Sequence, residues 1–174
     1  MSTESTNEKD PLRPGCMSSD LIQALIDNYR RGHARAIKNA LGIEDANSIW
    51  FDLPKLKKFI SIIEDEAAKI NPDMREEDLG IRFYYAAYPK AENWDIMRSH
   101  PVEKEYAERH TLVMIPTTQK SDENGNRLHY DFNPLQSDDF SLAMTSKSRT
   151  GLGEAIAENH GALSPPMDSR AENY

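Results

Sequence analysis

One arginine and two tyrosines on a predicted strand are the side chains of this sequence best suited to bind an anion. Residues 80–89 read Gly-Ile-Arg-Phe-Tyr-Tyr-Ala-Ala-Tyr-Pro, a composition that favours a β-strand. Alternation along a strand places Arg82, Tyr84 and Tyr88 on one face. A guanidinium between phenol rings can bind a carboxylate or a phosphate through paired hydrogen bonds. The alternative is that Arg82 forms an ion pair with an acidic neighbour.

Histidines near the end of the chain are suited to proton transfer. His160 precedes a glycine and stands close to a proline pair, and its imidazole can act as a general acid or base near neutral pH. His129 and Asp131 share one face of a predicted strand, an arrangement that suits a metal pair or a histidine oriented by a carboxylate. The alternatives are a helix cap at His160 and an exposed polar face at His129 and Asp131. No known metal-ligand spacing is present, so we predict neither a metal nor a cofactor.

Two amphipathic helices are predicted from apolar residues that recur every three or four positions. The first begins near Ser19 and ends before Gly42, and the second covers residues 53–70 with Asp52 as its N-cap. A short last helix is predicted over residues 153–159. These helices alternate with strands along the chain. We therefore expect the two main helices to pack on a sheet whose strands carry candidate side chains.

Four strands are predicted, at residues 48–51, 80–89, 111–116 and 127–132. The order strand, helix, strand over residues 48–89 favours a parallel pair, whereas the turn signal Asn124-Gly125 favours an antiparallel hairpin. The predicted fold class is α+β: a single domain with a small mixed β-sheet of about four strands and two main helices packed on one face.

Composition narrows the classes of function. The net charge is −8, which argues against nucleic acid or an anionic membrane as the main partner. No apolar run approaches the roughly 20 residues of a spanning helix. The lone Cys16 and an N-terminus without a signal-like apolar core predict a cytoplasmic location. We expect a disordered tail over residues 1–17, the domain over residues 18–166 and a frayed end over residues 167–174.

Several sequence blocks together carry a family resemblance. They are Ser48–Pro54, Leu79–Pro89, His110–Thr117, Asp131–Pro134 and Asn159–Pro166. With these blocks the chain resembles a family of small uncharacterised proteins of Bacteroidetes-type bacteria. The resemblance covers most of residues 20–166 and implies one domain over that range. It implies no activity, cofactor or catalytic residue.

Two hypotheses for function follow. The first is a binding or partner-recognition module in which Arg82, Tyr84 and Tyr88 contact a protein partner or a small anionic ligand. The alternative is a small hydrolase or lyase that acts on an anionic substrate by histidine acid/base chemistry. In that enzyme His160 or His129 transfers protons and Asp131 orients a histidine, which requires these residues and Arg82 to share one pocket. A third hypothesis is that the tyrosine face is the interface of a homodimer.

Overall fold

A long helical segment opens the described part of the chain, which in this computed structural model comprises residues 15–135 and 155–164. It consists of helix α1 (Ser19–Asn28), a π-helical turn (Tyr29–Ala34) and helix α2 (Arg35–Leu41). Ser18 caps the first turn by accepting a hydrogen bond from the Leu21 amide at 3.2 Å, and Gly42 ends the segment with a φ of 72°. Both ends confirm the sequence prediction, because a cap depends on a few neighbouring residues.

Helix α3 (Leu53–Ile70) confirms the second predicted helix. The Asp52 side chain accepts a hydrogen bond from the Lys55 amide at 2.7 Å, so it is the N-cap. The helix buries one apolar stripe, made of Phe59, Ile63 and Ala67. This stripe joins Met114 and Phe132 of the sheet region in the first core cluster.

The strands form two antiparallel sheets. The strands are β1 (Ser48–Trp50), β2 (Leu79–Ala87), β3 (His110–Ser121), β4 (Arg127–Asp131) and β5 (Ala162–Ser164). The main sheet has the order β2-β3-β4, and the small sheet pairs β1 with β5. The α+β class and the single domain are confirmed, but one mixed sheet of about four strands is wrong. The predicted parallel pair of β1 and β2 is not formed, and β1 pairs with β5 instead, with Ile49 opposite Leu163.

Both helical segments lie on one face of the main sheet, as predicted. Directly paired residues of antiparallel strands point to the same face of a sheet. By this pairing and by alternation along each strand, Ile81, Leu112 and Met114 all point to one face of the main sheet. α3 packs on this face through the first core cluster, which includes Met114 and has Ile81 packed against it. The segment α1–α2 approaches the same face at Leu112, where the two enclose a cavity.

The short last helix predicted over residues 153–159 is wrong where the structure describes it, from residue 155 onward. Glu158 instead forms a bridge with Met114, whose amide donates to the Glu158 carbonyl at 2.9 Å. The backbone of Glu158 therefore pairs with a part of β3 that β4 does not cover, instead of forming a helical turn. From there the chain reaches β5, whose Leu163 joins Ala46 and Tyr88 in a second core cluster.

Several expectations fall outside the described residues. They are the tail up to residue 14, the frayed end over residues 167–174 and the start of the predicted last helix. Among the residues described, no helix combines the length and apolar character needed to cross a membrane.

Candidate functional site

Arg82, Tyr84 and Asp131 meet on the sheet face opposite α3. Arg82 Nη1 donates to Asp131 Oδ1, and the Tyr84 hydroxyl donates to Asp131 Oδ2. Arg82 Nη2 also donates to the carbonyl of His129 at 2.9 Å. The guanidinium is therefore paired within the chain, as the alternative interpretation of the sequence expects, and its charge is already offset by a carboxylate.

Tyr88 lies apart from this group, inside the second core cluster. Its side chain is buried, and its ring packs against those of Trp94 and Tyr106 at centroid distances of 6.1 and 5.8 Å. The hydroxyl donates to the Asn159 carbonyl at 3.3 Å and accepts from Thr111 at 3.4 Å. Burial, as the largest cause, raises the pKa of this phenol. Tyr88 is thus a buried core residue and contributes no exposed surface for a ligand.

His160 forms a pair with His100. Its ring centroid lies 3.5 Å from that of His100, and its Nδ1 lies 3.1 Å from Glu158 Oε1. The carbonyl of His160 accepts from Lys55 Nζ at 2.8 Å, and His100 Nε2 contacts Asn159 Oδ1. The residue caps no helix, since residues 155–161 are extended or irregular. Its contacts do not include Arg82 or Asp131, so the pocket expected for the enzyme hypothesis is not formed by these residues.

The His100 ring makes the stability of the fold sensitive to pH. Burial and, next, the charge of His160 lower the pKa of His100 below its ordinary value, although Asn159 and Glu158 oppose this shift. Unfolded His100 therefore binds a proton at a higher pH than folded His100. Stability linked to this group is present above about pH 6.5 and is lost as the pH falls below it.

We expect His100→Gln to flatten the fall in the free energy of unfolding between about pH 7 and pH 5. Glutamine retains an amide that can bond Asn159 but does not titrate. Urea unfolding at a series of pH values measures the slope. His129→Gln is the matched control, because it makes the same change at a histidine that is exposed on β4. An unchanged slope in His100→Gln would contradict this linkage.

A cavity of about 630 Å³ lies between the α1–α2 segment, β1 and the paired ends of β2 and β3. Apolar, aromatic and histidine side chains form most of its wall, among them Tyr29, His33, Ile37, Ile49, Tyr85, His110 and Leu112, and Asn47, Ser48 and Thr111 complete it. Its volume falls within the range of about 300–1,000 Å³ that holds drug-sized ligands. None of the six side chains singled out from the sequence is among the described residues of this wall.

Asp45 and His110 form a carboxylate–histidine pair at the wall of this cavity. The Asp45 side chain is 0% exposed, whereas that of His110 is 43% exposed. Asp45 Oδ2 accepts a hydrogen bond from His110 Nδ1. A carboxylate oxygen only accepts, so Nδ1 carries a proton and the lone pair of the neutral ring is on Nε2. Within the described residues no hydrogen bond occupies Nε2.

The backbone around Asp45 fixes the position of the pair. Asp45 Oδ1 accepts the amides of His110 at 2.7 Å and of Ala46 at 2.8 Å. His110 is the first residue of β3 and pairs with Ala87 of β2. The carboxylate is therefore anchored to β3 by the His110 amide and to its own loop by the Ala46 amide, and the imidazole is held by the same carboxylate.

Tyr29 and His33 bring the helical segment to the site. The Tyr29 hydroxyl lies 3.4 Å from Asp45 Oδ2, and the rings of Tyr29 and His33 stack at 5.9 Å with an angle of 9° between their planes. Burial, followed by the charge of Asp45, raises the pKa of Tyr29, so the phenol keeps its proton. Both residues lie in the π-helical turn Tyr29–Ala34, a type of turn found frequently at functional sites.

Tyr85 lies at the opening of the cavity and is 90% exposed. The sequence predicts that the face with Ile81, Phe83 and Tyr85 packs on the second helix. This prediction is correct for Ile81, which packs against the first core cluster. It is wrong for Phe83, which is 53% exposed, and for Tyr85, since neither belongs to the core cluster under α3.

In the sequence, His110 is noted only as the start of a block of the family resemblance, and Asp45, Tyr29 and His33 were missed. The missing signal is the pairing of two segments 65 residues apart, at Asp45 and His110. The four-residue step from Tyr29 to His33 is visible in the sequence, but alone it indicates only a shared helix face. Among the described residues, no group of three or more histidine, cysteine, aspartate or glutamate side chains is arranged to hold a metal.

Comparisons with known proteins add no family assignment. No family model, no curated protein and no solved structure matched this chain. The resemblance to a family of Bacteroidetes-type bacteria therefore stays a prediction, and the geometry of the cavity is the basis for inferring a function.

Proposed function

We propose that the protein is a small enzyme that binds a mainly apolar molecule in the cavity and removes a proton from it, or from a bound water, with His110 as the general base. The observation that carries this proposal is the buried Asp45 carboxylate on His110 Nδ1. A carboxylate in this position fixes the tautomer and orientation of the ring and stabilises the imidazolium that forms. The proposal keeps the hydrolase or lyase hypothesis but transfers its chemistry to other residues.

The wall of the cavity favours a ligand with an apolar body. Ile37, Ile49 and Leu112 supply aliphatic surface, and Tyr29 and Tyr85 supply aromatic rings. Such walls with a few polar groups are typical of small-molecule sites. The expected anionic substrate fits this wall less well than a neutral one.

The binding-module hypothesis has weaker support. Its cation, Arg82, is paired with Asp131, and one of its two tyrosines, Tyr88, is buried. Tyr84 is 37% exposed but donates its hydroxyl to the same carboxylate. A protein partner, a homodimer and a cytoplasmic location stay predictions from the sequence.

Ring opening of nitrobenzisoxazole tests the base directly. In this reaction a base removes the proton on carbon, the nitrogen–oxygen bond breaks, and a coloured nitrophenolate forms. The probe is flat and apolar, and general-base catalysis contributes about 10²–10⁴-fold. We expect the rate of the wild-type protein to exceed that of His110→Gln by at least about tenfold. The absorbance of the nitrophenolate product measures the rate.

Two further variants locate the reaction. Leu112→Trp should remove the activity by filling the cavity, and His129→Gln should retain it because that histidine is exposed elsewhere. Equal rates for wild type and His110→Gln would overturn the proposal. Binding of the probe without His110-dependent turnover would instead indicate a carrier protein.

A further inference from the structure

We propose that His33 is the acid partner of His110, so that the cavity catalyses elimination or proton relocation on a neutral compound with an oxygen that must be protonated. This inference rests on the proposed function, because it assigns the second half of the same proton transfer. It narrows the reaction from hydrolase or lyase to lyase-type chemistry. Its substrate class is a small apolar molecule with an acidic carbon–hydrogen bond and an oxygen leaving group or carbonyl.

The first support is the position of His33. His33 and His110 both line this cavity, yet they come from different elements, the π-helical turn and the start of β3. At a volume of about 630 Å³ the cavity holds one small molecule, which both walls can contact. An acid and a base on separate walls are what a reaction with two proton transfers requires.

The second support is a continuous chain of contacts that fixes one histidine relative to the other. His33 stacks on Tyr29, the Tyr29 hydroxyl reaches Asp45, and Asp45 holds His110. Tyr29 already donates its proton towards Asp45 Oδ2 and the Ala46 carbonyl, each at 3.4 Å. The phenol is therefore engaged, and the imidazole of His33 is the proton donor that the helical segment presents to the cavity.

The proposed step balances without a cofactor. His110 Nε2 takes the proton from carbon, and the electron pair of that bond forms a new double bond. The bond to the leaving oxygen breaks, and this oxygen takes the proton from an N–H of His33. With a carbonyl compound the same two transfers give an enol. Proton exchange with water then restores both histidines.

Two probes that differ only in a nitro group, which sets the basicity of the leaving oxygen, test His33 separately from His110. Nitrobenzisoxazole releases a stabilised phenolate that needs little protonation, whereas unsubstituted benzisoxazole releases a more basic oxygen that does. We expect His33→Gln to lower the rate with the unsubstituted probe by at least about tenfold, and with the nitro probe by no more than about threefold. His110→Gln should lower both rates alike.

The outcomes separate the two proposals. If His33→Gln lowers both rates equally, or neither, while His110→Gln lowers both, His33 is not the acid and the proposed function stands. If His110→Gln lowers neither rate, the proposed function fails and this inference fails with it. His129→Gln is again the control, and probe binding followed by ligand-observed NMR should differ between wild type and His33→Gln by less than about threefold.

Discussion

Asp45→Ala is expected to lower the free energy of unfolding by about 3 kcal/mol or more, because each buried donor that loses its partner costs about 1–3 kcal/mol. Two backbone amides, those of Ala46 and His110, donate to Asp45 Oδ1, and His110 Nδ1 donates to Oδ2. Alanine leaves all three without this acceptor. Urea unfolding followed by the fluorescence of Trp50 and Trp94 measures the loss.

Asp45→Asn separates the structural role of this carboxylate from its chemical role. With the amide oxygen in the place of Oδ1, asparagine still accepts both backbone amides. Its NH₂ group then faces His110 Nδ1, which must become the acceptor, so the ring proton moves to Nε2 and the base is lost. We expect most of the stability to be kept and the rate with nitrobenzisoxazole to fall to that of His110→Gln.

The neighbouring carboxylate provides the control. Glu44→Ala removes an exposed acid that pairs with Lys38 at 2.7 Å on the surface, and surface pairs contribute little to stability. Asp45→Ala should therefore stand well apart from Glu44→Ala in urea. If the two variants unfold at the same concentration, the Asp45 carboxylate does not hold this part of the fold.

Gly161→Ala is expected to lower the free energy of unfolding by about 3 kcal/mol, at the upper end of what overpacking costs. An added Cβ would meet Ile49 Cγ2 and would lie 2.8 Å from two ring atoms of Phe51. Ile49 lies in β1 and Phe51 directly follows it, and both side chains are short or rigid, so the backbone of β1 or β5 must move. Thermal unfolding and urea unfolding should both report the change.

Gly32→Ala is the matched control with the opposite expected sign. A Cβ at Gly32 meets nothing within 4 Å, and glycine inside a helix is less stable than alanine by about 0.5–1 kcal/mol. A stability of Gly161→Ala equal to wild type would show that β1 and β5 adapt to the extra methyl group. The close approach of the neighbouring side chains would then not explain why residue 161 is a glycine.

The helices could be predicted because their determinants are local. Ser18, Asp52 and Gly42 each act on residues within one turn. The apolar stripe of α3 can be recognised from the spacing of its residues alone. Strand pairing is not local. The partner of β1 is β5, and no property of the residues 48–50 distinguishes that partner from β2. The mixed sheet was therefore wrong while the fold class was right.

The candidate site was missed for the same reason. The prediction that an aspartate orients a histidine was made for Asp131, which instead bonds Arg82 and Tyr84. In the structure that geometry occurs at Asp45, a loop residue with no pattern around it. For Arg82, the stated alternative was an ion pair with an acidic neighbour, and this is the arrangement found in the structure.

The pairing of β1 with β5 also bears on the order in which the protein folds. Asn47 donates to the Ser164 carbonyl at 2.7 Å, and Leu163 packs with Ala46, next to Asp45. These contacts join segments separated by most of the domain, and closing so long a loop is entropically unfavourable and slow. The hairpins of the main sheet involve shorter loops and can form earlier. A chain still on the ribosome, with residues 162–164 not yet available, therefore lacks the strand that supports the loop of Asp45, and His110 gains the carboxylate that orients it only when synthesis of residues 162–164 is complete.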